Sequence, residues 1–154
     1  MTPQFVTYTA YLEGSLSLTA EGEWLHDGSP FQNQNVAELF HRSVRWNQEA
    51  GRYELQIGKE VATFTVADTP YFVKEIRSIQ REPEVVLLGG HCERLNIQSL
   101  SLGSSDQLYC LVNGSHRARL LRSAHQELLR YTIDDSTLLV AGQRVQLTPR
   151  PNEV

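Results

Sequence analysis

Cysteine is close to absent. Cys92 and Cys110 are the only two among 154 residues, and they lack CxxC spacing. That excludes a disulfide framework and a cysteine-built zinc knuckle, so a hydrophobic core must hold the chain together. A membrane-spanning run is also missing, since nothing approaches ~20 consecutive apolar residues. The opening MTPQFVTYTAYLEG has neither a basic start nor a long apolar stretch, so no signal peptide is expected. A cytoplasmic location follows as the simplest expectation. Basic charge is in deficit: the net charge is −4, which repels phosphate backbones and argues against a nucleic-acid partner. No GxSxG, Walker loop, GxGxxG or HExxH occurs, and none of the five histidines pair at i, i+2 or i+4. No catalytic residue, cofactor or metal ligand is therefore expected.

What is present suits one globular domain. The composition, 40% hydrophobic and 21% charged, excludes long disorder. A chain of this size buries roughly 70% of its unfolded surface. The expected unit is a single compact domain over 1–154, with sublobes at 16–80 and 84–149 as the internal division.

Along the chain, Gln4 to Leu12 is rich in Thr, Tyr and Val, which suits a strand or an arm packed on a partner subunit. Leu16 and Leu18 alternate with serines in a short strand. Trp24-Leu25 leads into Asp27-Gly28, the residue pair of a type I′ turn, and Pro30 fixes the exit. Asn35 is the expected N-cap of a helix, with Glu38 three residues on. Val36, Leu39, Phe40 and Val44 form its apolar stripe, and the helix is expected to run to Trp46. RYELQI and EVATFTV around Gly58-Lys59 read as a hairpin. Tyr71–Ile79 supports two readings, since Phe72, Ile76 and Ile79 fit a helix, but the Tyr-Phe-Val start after Pro70 favours a strand. Glu84–Leu88 reads as a strand, and Leu95–Leu102 as one bent strand. Leu108–Val112, Asn113-Gly114 and His116–Leu121 form a second hairpin. Ser123 is then the expected cap of a helix reaching Tyr131, and a strand pair follows over Leu138–Ala141 and Arg144–Leu147.

The order of hairpin, capped helix and strand pair thus occurs twice. Gly28 and Gly114 lie 86 residues apart, and the expected caps Asn35 and Ser123 lie 88 apart. Leu55 and Val61 stand 84 before Leu139 and Val145. Two diverged copies would show such drift, and so would turn chemistry that reuses the same residues by chance. The fold class expected is α+β, mostly antiparallel β with two short helices, with two similar β-rich lobes if the echo is a duplication.

Two places are candidate binding sites. Trp24 and His26 share a strand face. Either they form a stacking and hydrogen-bonding site, or Trp24 packs in the core and His26 caps the turn. His26 and Asp27 are sequence neighbours on a strand, and such side chains point apart, so no catalytic pair is expected of them. The second place is Gly114–Tyr131, where Arg117, Arg119, Arg122 and Arg130 face only Glu127, a local charge of +3 that leaves −7 elsewhere. Arg117 and Arg119 alternate onto one strand face and can grip a carboxylate or phosphate bidentately, or lie as a solvated face. Cys92, beside His91, is expected to be buried and inert.

The pattern Gly22, Trp24, His26, Gly28, Pro30, Phe31, joined to Leu39-Phe40 and to the Val66–Val73 segment, resembles the bacterial domain-of-unknown-function 1285 family. The Leu108-Tyr109-Cys110 strand and the Arg-rich return before a helix are similar too. The resemblance covers roughly Ala20 to Pro149. It implies a small, soluble α+β protein of unassigned activity and carries over no catalytic residues. Function is expected to be that of a non-enzymatic binding or regulatory module for an anionic small molecule or an acidic protein partner. The alternatives are an enzyme assembled from scattered residues such as His26, Asp68 and Tyr71, or a structural homodimer subunit using the Gln4–Leu12 arm.

Overall fold

The chain divides into two β-rich units. The structure, a computed structural model, describes residues 4–149, with side chains described from Tyr8 to Leu147. The units are Met1–Pro70 and Tyr71–Val154.

The first unit begins with α1 (Gln4–Leu12) and continues through β1 (Leu16–Leu18), β2 (Trp24–His26), β3 (Ser29–Pro30) and α2 (Gln34–His41). It ends with β4 (Val44–Asn47), β5 (Arg52–Ile57), β6 (Glu60–Thr63) and β7 (Thr65–Val66). Its sheets are β3-β2-β1-β7 and the meander β4-β5-β6. The β2–β3 turn is built by Asp27 at φ 50° and Gly28 at φ 86°, the two positive values that a type I′ turn requires. Ser15 holds this turn from below. The Ser15 N–H donates to Asp27 Oδ1 at 2.8 Å, and the Asp27 N–H donates to the Ser15 carbonyl, also at 2.8 Å.

The second unit runs through β8 (Tyr71–Arg77), β9 (Glu84–Leu87), β10 (Cys92–Arg94), a 3-10 turn (Ile97–Ser99), β11 (Ser101–Leu102), β12 (Leu108–Val112) and β13 (His116–Leu120). There follow α3 (Arg122–Leu129), β14 (Thr132–Asp134), β15 (Thr137–Val140), β16 (Gln143–Gln146) and β17 (Thr148–Pro149). The large sheet has the order β10-β9-β8-β13-β12-β11-β17, and β14-β15-β16 form a meander. Most pairs are antiparallel, with β13–β8 and β11–β17 parallel. Val73, Val85, Leu108, Ala118, Leu120, Leu128, Leu138 and Val140 make its core. The fold class is α+β.

The units repeat one topology. In the first, β1 pairs antiparallel with β2 and parallel with β7. In the second, β11 pairs antiparallel with β12 and parallel with β17. Between these pairings each unit places a hairpin, an eight-residue helix and a three-stranded meander. Buried Val36 and Phe40 of α2 occupy the places that Ala124 and Leu128 hold in α3, 88 residues on. The register Val44↔Leu55↔Ala62 corresponds to Thr132↔Leu138↔Val145. The second and third meander strands are therefore offset by 83 rather than 84, and Leu55 answers to Leu138, not Leu139.

Several local expectations are corrected. Gln4–Leu12 is a helix, not a strand: Tyr8, Tyr11 and Leu12 are half-buried at i, i+3 and i+4, while Ala10 is exposed. A third helix thus joins the two expected. The N-cap of α2 is Asn33, whose side chain accepts from the Asn35 and Val36 N–H groups. That helix stops at His41, because Arg42 caps it and the Ser43 hydroxyl donates to the Leu39 carbonyl. Val44–Asn47 is released into a strand against β5, a conformation its branched and aromatic residues favour. α3 starts one residue before Ser123, and its N-cap, Leu121, offers no side-chain acceptor. The expected bent strand Leu95–Leu102 is interrupted by the 3-10 turn.

Candidate functional site

In the first unit the strongest feature is aromatic. Trp24 sits on β2 at 2% exposure, edge-on to Phe40 of α2 with centroids 5.6 Å apart and tilted against Phe31 and Phe64. Its indole N–H donates to His41 Nδ1 at 3.3 Å. An acceptor Nδ1 places the imidazole proton on Nε2, and His41 also hydrogen-bonds the Gly22 backbone. Burial pushes the His41 pKa from 6.5 down to about 4, outweighing the upward pull of Glu38 and the Gly22 bond. His41 is thus a neutral, structural acceptor for the indole. Trp24 presents no open face for a ligand to stack on.

His26 is half-buried at the end of the same strand. Its Nε2 lies 2.9 Å from the Glu13 carbonyl, and its ring sits edge-on to Tyr11 at 5.2 Å. Tyr11 in turn stacks on Phe31 at 4.1 Å. His26 Nε2 is also 3.6 Å from Asp27 Oδ2. The expectation that these neighbours point apart fails because Asp27 is the first residue of the turn, at φ 50°, and no longer follows strand alternation. Asp27 remains committed to the Ser15 N–H, so the pair ties α1's exit to the β2–β3 turn. Beside it, Tyr11 and the carboxamides Gln32, Asn33, Gln34 and Asn35 line an open depression at the start of α2.

The β4–β5 pair holds a cluster that sequence reasoning missed. Glu54 is 9% exposed, and its carboxylate accepts from Arg52 Nε at 2.8 Å and Asn47 Nδ2 at 3.1 Å. The Arg52 bond first, and the Asn47 bond second, hold its pKa below the ordinary range. With Arg45, Trp46, Gln48 and Gln56 it lines a polar depression. The signal was in RYELQI, whose alternation sets Glu54 on the face opposite Tyr53 and Leu55. Assigning Trp46 to a helix hid the partner strand.

In the second unit, Arg117 and Arg119 on β13 alternate with fully buried Ala118 and Leu120. Both are half-buried and share one sheet face, where their cross-strand partners are Leu111 and Tyr109. Arg122 is the first residue of α3 and is exposed. At neighbouring His125, burial first, and the Arg119 charge second, lower the pKa against the opposing pull of Asp106. Cys110 on β12 is buried, and desolvation pushes its thiol up to about 12, which makes it inert. Cys92, expected to be buried, is exposed on the edge strand β10. A three-residue edge strand leaves its side chain uncovered. Among the described residues, no three of His, Cys, Asp and Glu converge as a metal site requires, and no helix is long and apolar enough to cross a membrane.

Trp24 and His26 therefore belong to one aromatic network of the first unit, and Arg117, Arg119 and Arg122 to one strand-and-helix corner of the second. No family model matches the sequence, and no curated protein matches it. Two solved structures do share the fold. A DUF1285 family protein from Silicibacter pomeroyi aligns with a TM-score of 0.65 at 16% identity, over 88% of this chain and 81% of that one. One from Shewanella baltica aligns with a TM-score of 0.59 at 18% identity, over 77% of this chain and 93% of the other. The chain thus has a DUF1285-like fold.

Proposed function

We propose that the protein is a non-enzymatic binding or regulatory module that takes an anionic small molecule or an acidic stretch of a protein partner on the β13–α3 corner. The observation that carries this reading is the placement of Arg117 and Arg119 on one face of β13, with Arg122 opening the next element. Residues two apart on a strand lie roughly 7 Å from each other, a spacing at which two guanidinium forks engage one carboxylate or phosphate. Half-burial supports the reading, because it restricts the stems and lowers the entropy lost on binding. Burial first, and the Arg119 charge second, lower the pKa of His125, so a cationic side chain faces it in a chain whose net charge is −4.

Four of the groups with shifted ionisation hold structural positions, which supports a role without proton transfer. His41 serves Trp24, Glu54 serves Arg52 and Asn47, Cys110 lies in the core, and Asp134 accepts turn hydrogen bonds from Ser136 and Thr137. In this reading Trp24 and His26 maintain the first unit rather than touch the ligand. Titration with inorganic phosphate, followed by the arginine Nε–H resonances, tests the placement. Saturable shifts at Arg117, Arg119 and Arg122 support it. Shifts confined to the first unit, or none at any phosphate concentration, reject it.

A further inference from the structure

Asn113 and Gly114 form the β12–β13 turn, and the same two residues make a chemically labile pair. The backbone nitrogen of Gly114 can attack the side-chain carbonyl carbon Cγ of Asn113, forming a C–N bond as ammonia leaves and a succinimide ring closes. Water then opens the ring at either carbonyl, giving aspartate or isoaspartate. Glycine favours the attack because it carries no side chain to shield its nitrogen. Here both residues are exposed, and a Cβ built on Gly114 would meet nothing within 4 Å. The Asn113 carboxamide makes no hydrogen bond among the described residues, so nothing ties it down against reaction.

The backbone restrains the reaction. Asn113 has φ 50° and Gly114 φ 92°, a type I′ turn whose ideal ψ at the first position is about +30°. Ring closure needs a large rotation about the Asn113 Cα–C bond to bring the Gly114 nitrogen under Cγ, and the turn must open for that. One side chain grips the turn from 20 positions away. Glu93 on β10 accepts the Asn113 N–H with both carboxylate oxygens, at 3.0 and 3.1 Å. His91 orients that carboxylate, with Nε2 3.0 Å from Glu93 Oε1. The grip spans elements that are not neighbours in the sheet order, since β10 is the edge strand and β12 lies four places inward.

We propose that Asn113 is a deamidation site and that the Glu93 carboxylate sets its rate by holding the turn closed. Either product places a new carboxylate on the residue whose N–H the Glu93 carboxylate holds. Isoaspartate also lengthens the backbone by one carbon within a two-residue turn, so the β12–β13 hairpin loosens once the step has occurred. Ring closure with loss of ammonia thus converts the turn opening that Glu93 opposes into an irreversible change.

The test is peptide mapping for isoaspartate at position 113 during incubation of the folded chain at mildly alkaline pH, in wild type, Glu93→Gln and Glu93→Ala. Hydrogen exchange of the β12 and β13 amides runs in parallel. Loss of a charge-assisted bond should speed deamidation about tenfold or more in Glu93→Ala. Glu93→Gln should give a smaller acceleration, because its amide oxygen still accepts. Strand protection should stay unchanged in both. Equal rates in all three proteins overturn the proposal. So does an acceleration accompanied by loss of protection throughout β12 and β13, which would make global unfolding the cause. Absence of isoaspartate at 113 from wild type and both variants overturns it as well.

Discussion

Trp24 and His41 are joined by an indole N–H donated to an imidazole nitrogen that must stay unprotonated, 3.3 Å apart and almost sealed from water. Protonating Nδ1 would set two donors face to face. The folded chain therefore resists a proton that the unfolded chain accepts freely.

This gives a pH dependence of defined sign. The folded pKa of His41, about 4, lies below the unfolded value of 6.5. As pH falls, the unfolded chain takes up the proton first. The contribution is fully present above 6.5, is lost progressively towards 4, and levels off below that. Over the whole window it amounts to roughly 3 kcal/mol. Urea denaturation of wild type and His41→Gln at pH 7 and pH 4.5 reads it. Wild type should lose stability over that interval by more than the variant does, and parallel losses would show that His41 is not the group responsible.

Two glycines separate backbone strain from collision. Gly28 has φ 86° and an added Cβ would meet nothing within 4 Å, whereas at Gly14, φ 129°, the same atom would stand 2.8 Å from His26 Nε2 and 2.9 Å from Asp27 Oδ1. Gly28→Ala should cost about 1–2 kcal/mol from the left-handed conformation alone. Gly14→Ala should cost more, because it also displaces His26 from the Glu13 carbonyl. Melting temperatures of the two variants, compared with wild type, decide the order.

The helix caps give a third contrast. Asn33→Ala removes the acceptor of two N–H groups at the start of α2 and should cost about 1 kcal/mol. Ser123→Ala lies inside α3 and is exposed, so it should change stability by less than about 0.5 kcal/mol. A destabilised Ser123→Ala with an unaffected Asn33→Ala would mean the helix starts are placed wrongly.

These contrasts show what was legible in the chain. The hairpins at Asp27-Gly28 and Asn113-Gly114 were readable because the positive φ values of a type I′ turn demand those residue types locally. The α2 stripe of Val36 and Phe40 was readable from its period, but the helix end was not. Val44 continues the apolar spacing, and only its pairing with Leu55 makes it a strand. The helix at Gln4–Leu12 ran against its own propensities, which tertiary packing overrides. The repeat had a sharper signal than the turn offsets: Ser-Leu-Ser-Leu occurs at 15–18 and again at 99–102. Leu18 and Leu102 hold equivalent places, each paired antiparallel to one strand and parallel to another.

For the candidate sites, alternation alone placed Arg117 and Arg119 on one face, because it is a property of any strand. The burial of Trp24 and the bond to His41 depend on contacts 17 residues apart, which no local pattern encodes. The same holds for Glu54, whose partner Asn47 follows directly on apolar spacing that continues the helix.

The central claim, that the β13–α3 corner is an anion-binding surface, is tested most directly by calorimetric titration of an acidic peptide into wild type, Arg117→Ala, Arg119→Ala and Arg122→Ala at low and high salt. A saturable affinity is expected that weakens with salt, and that falls about tenfold to a hundredfold when Arg117 or Arg119 is removed. An affinity unchanged in all three variants would contradict it.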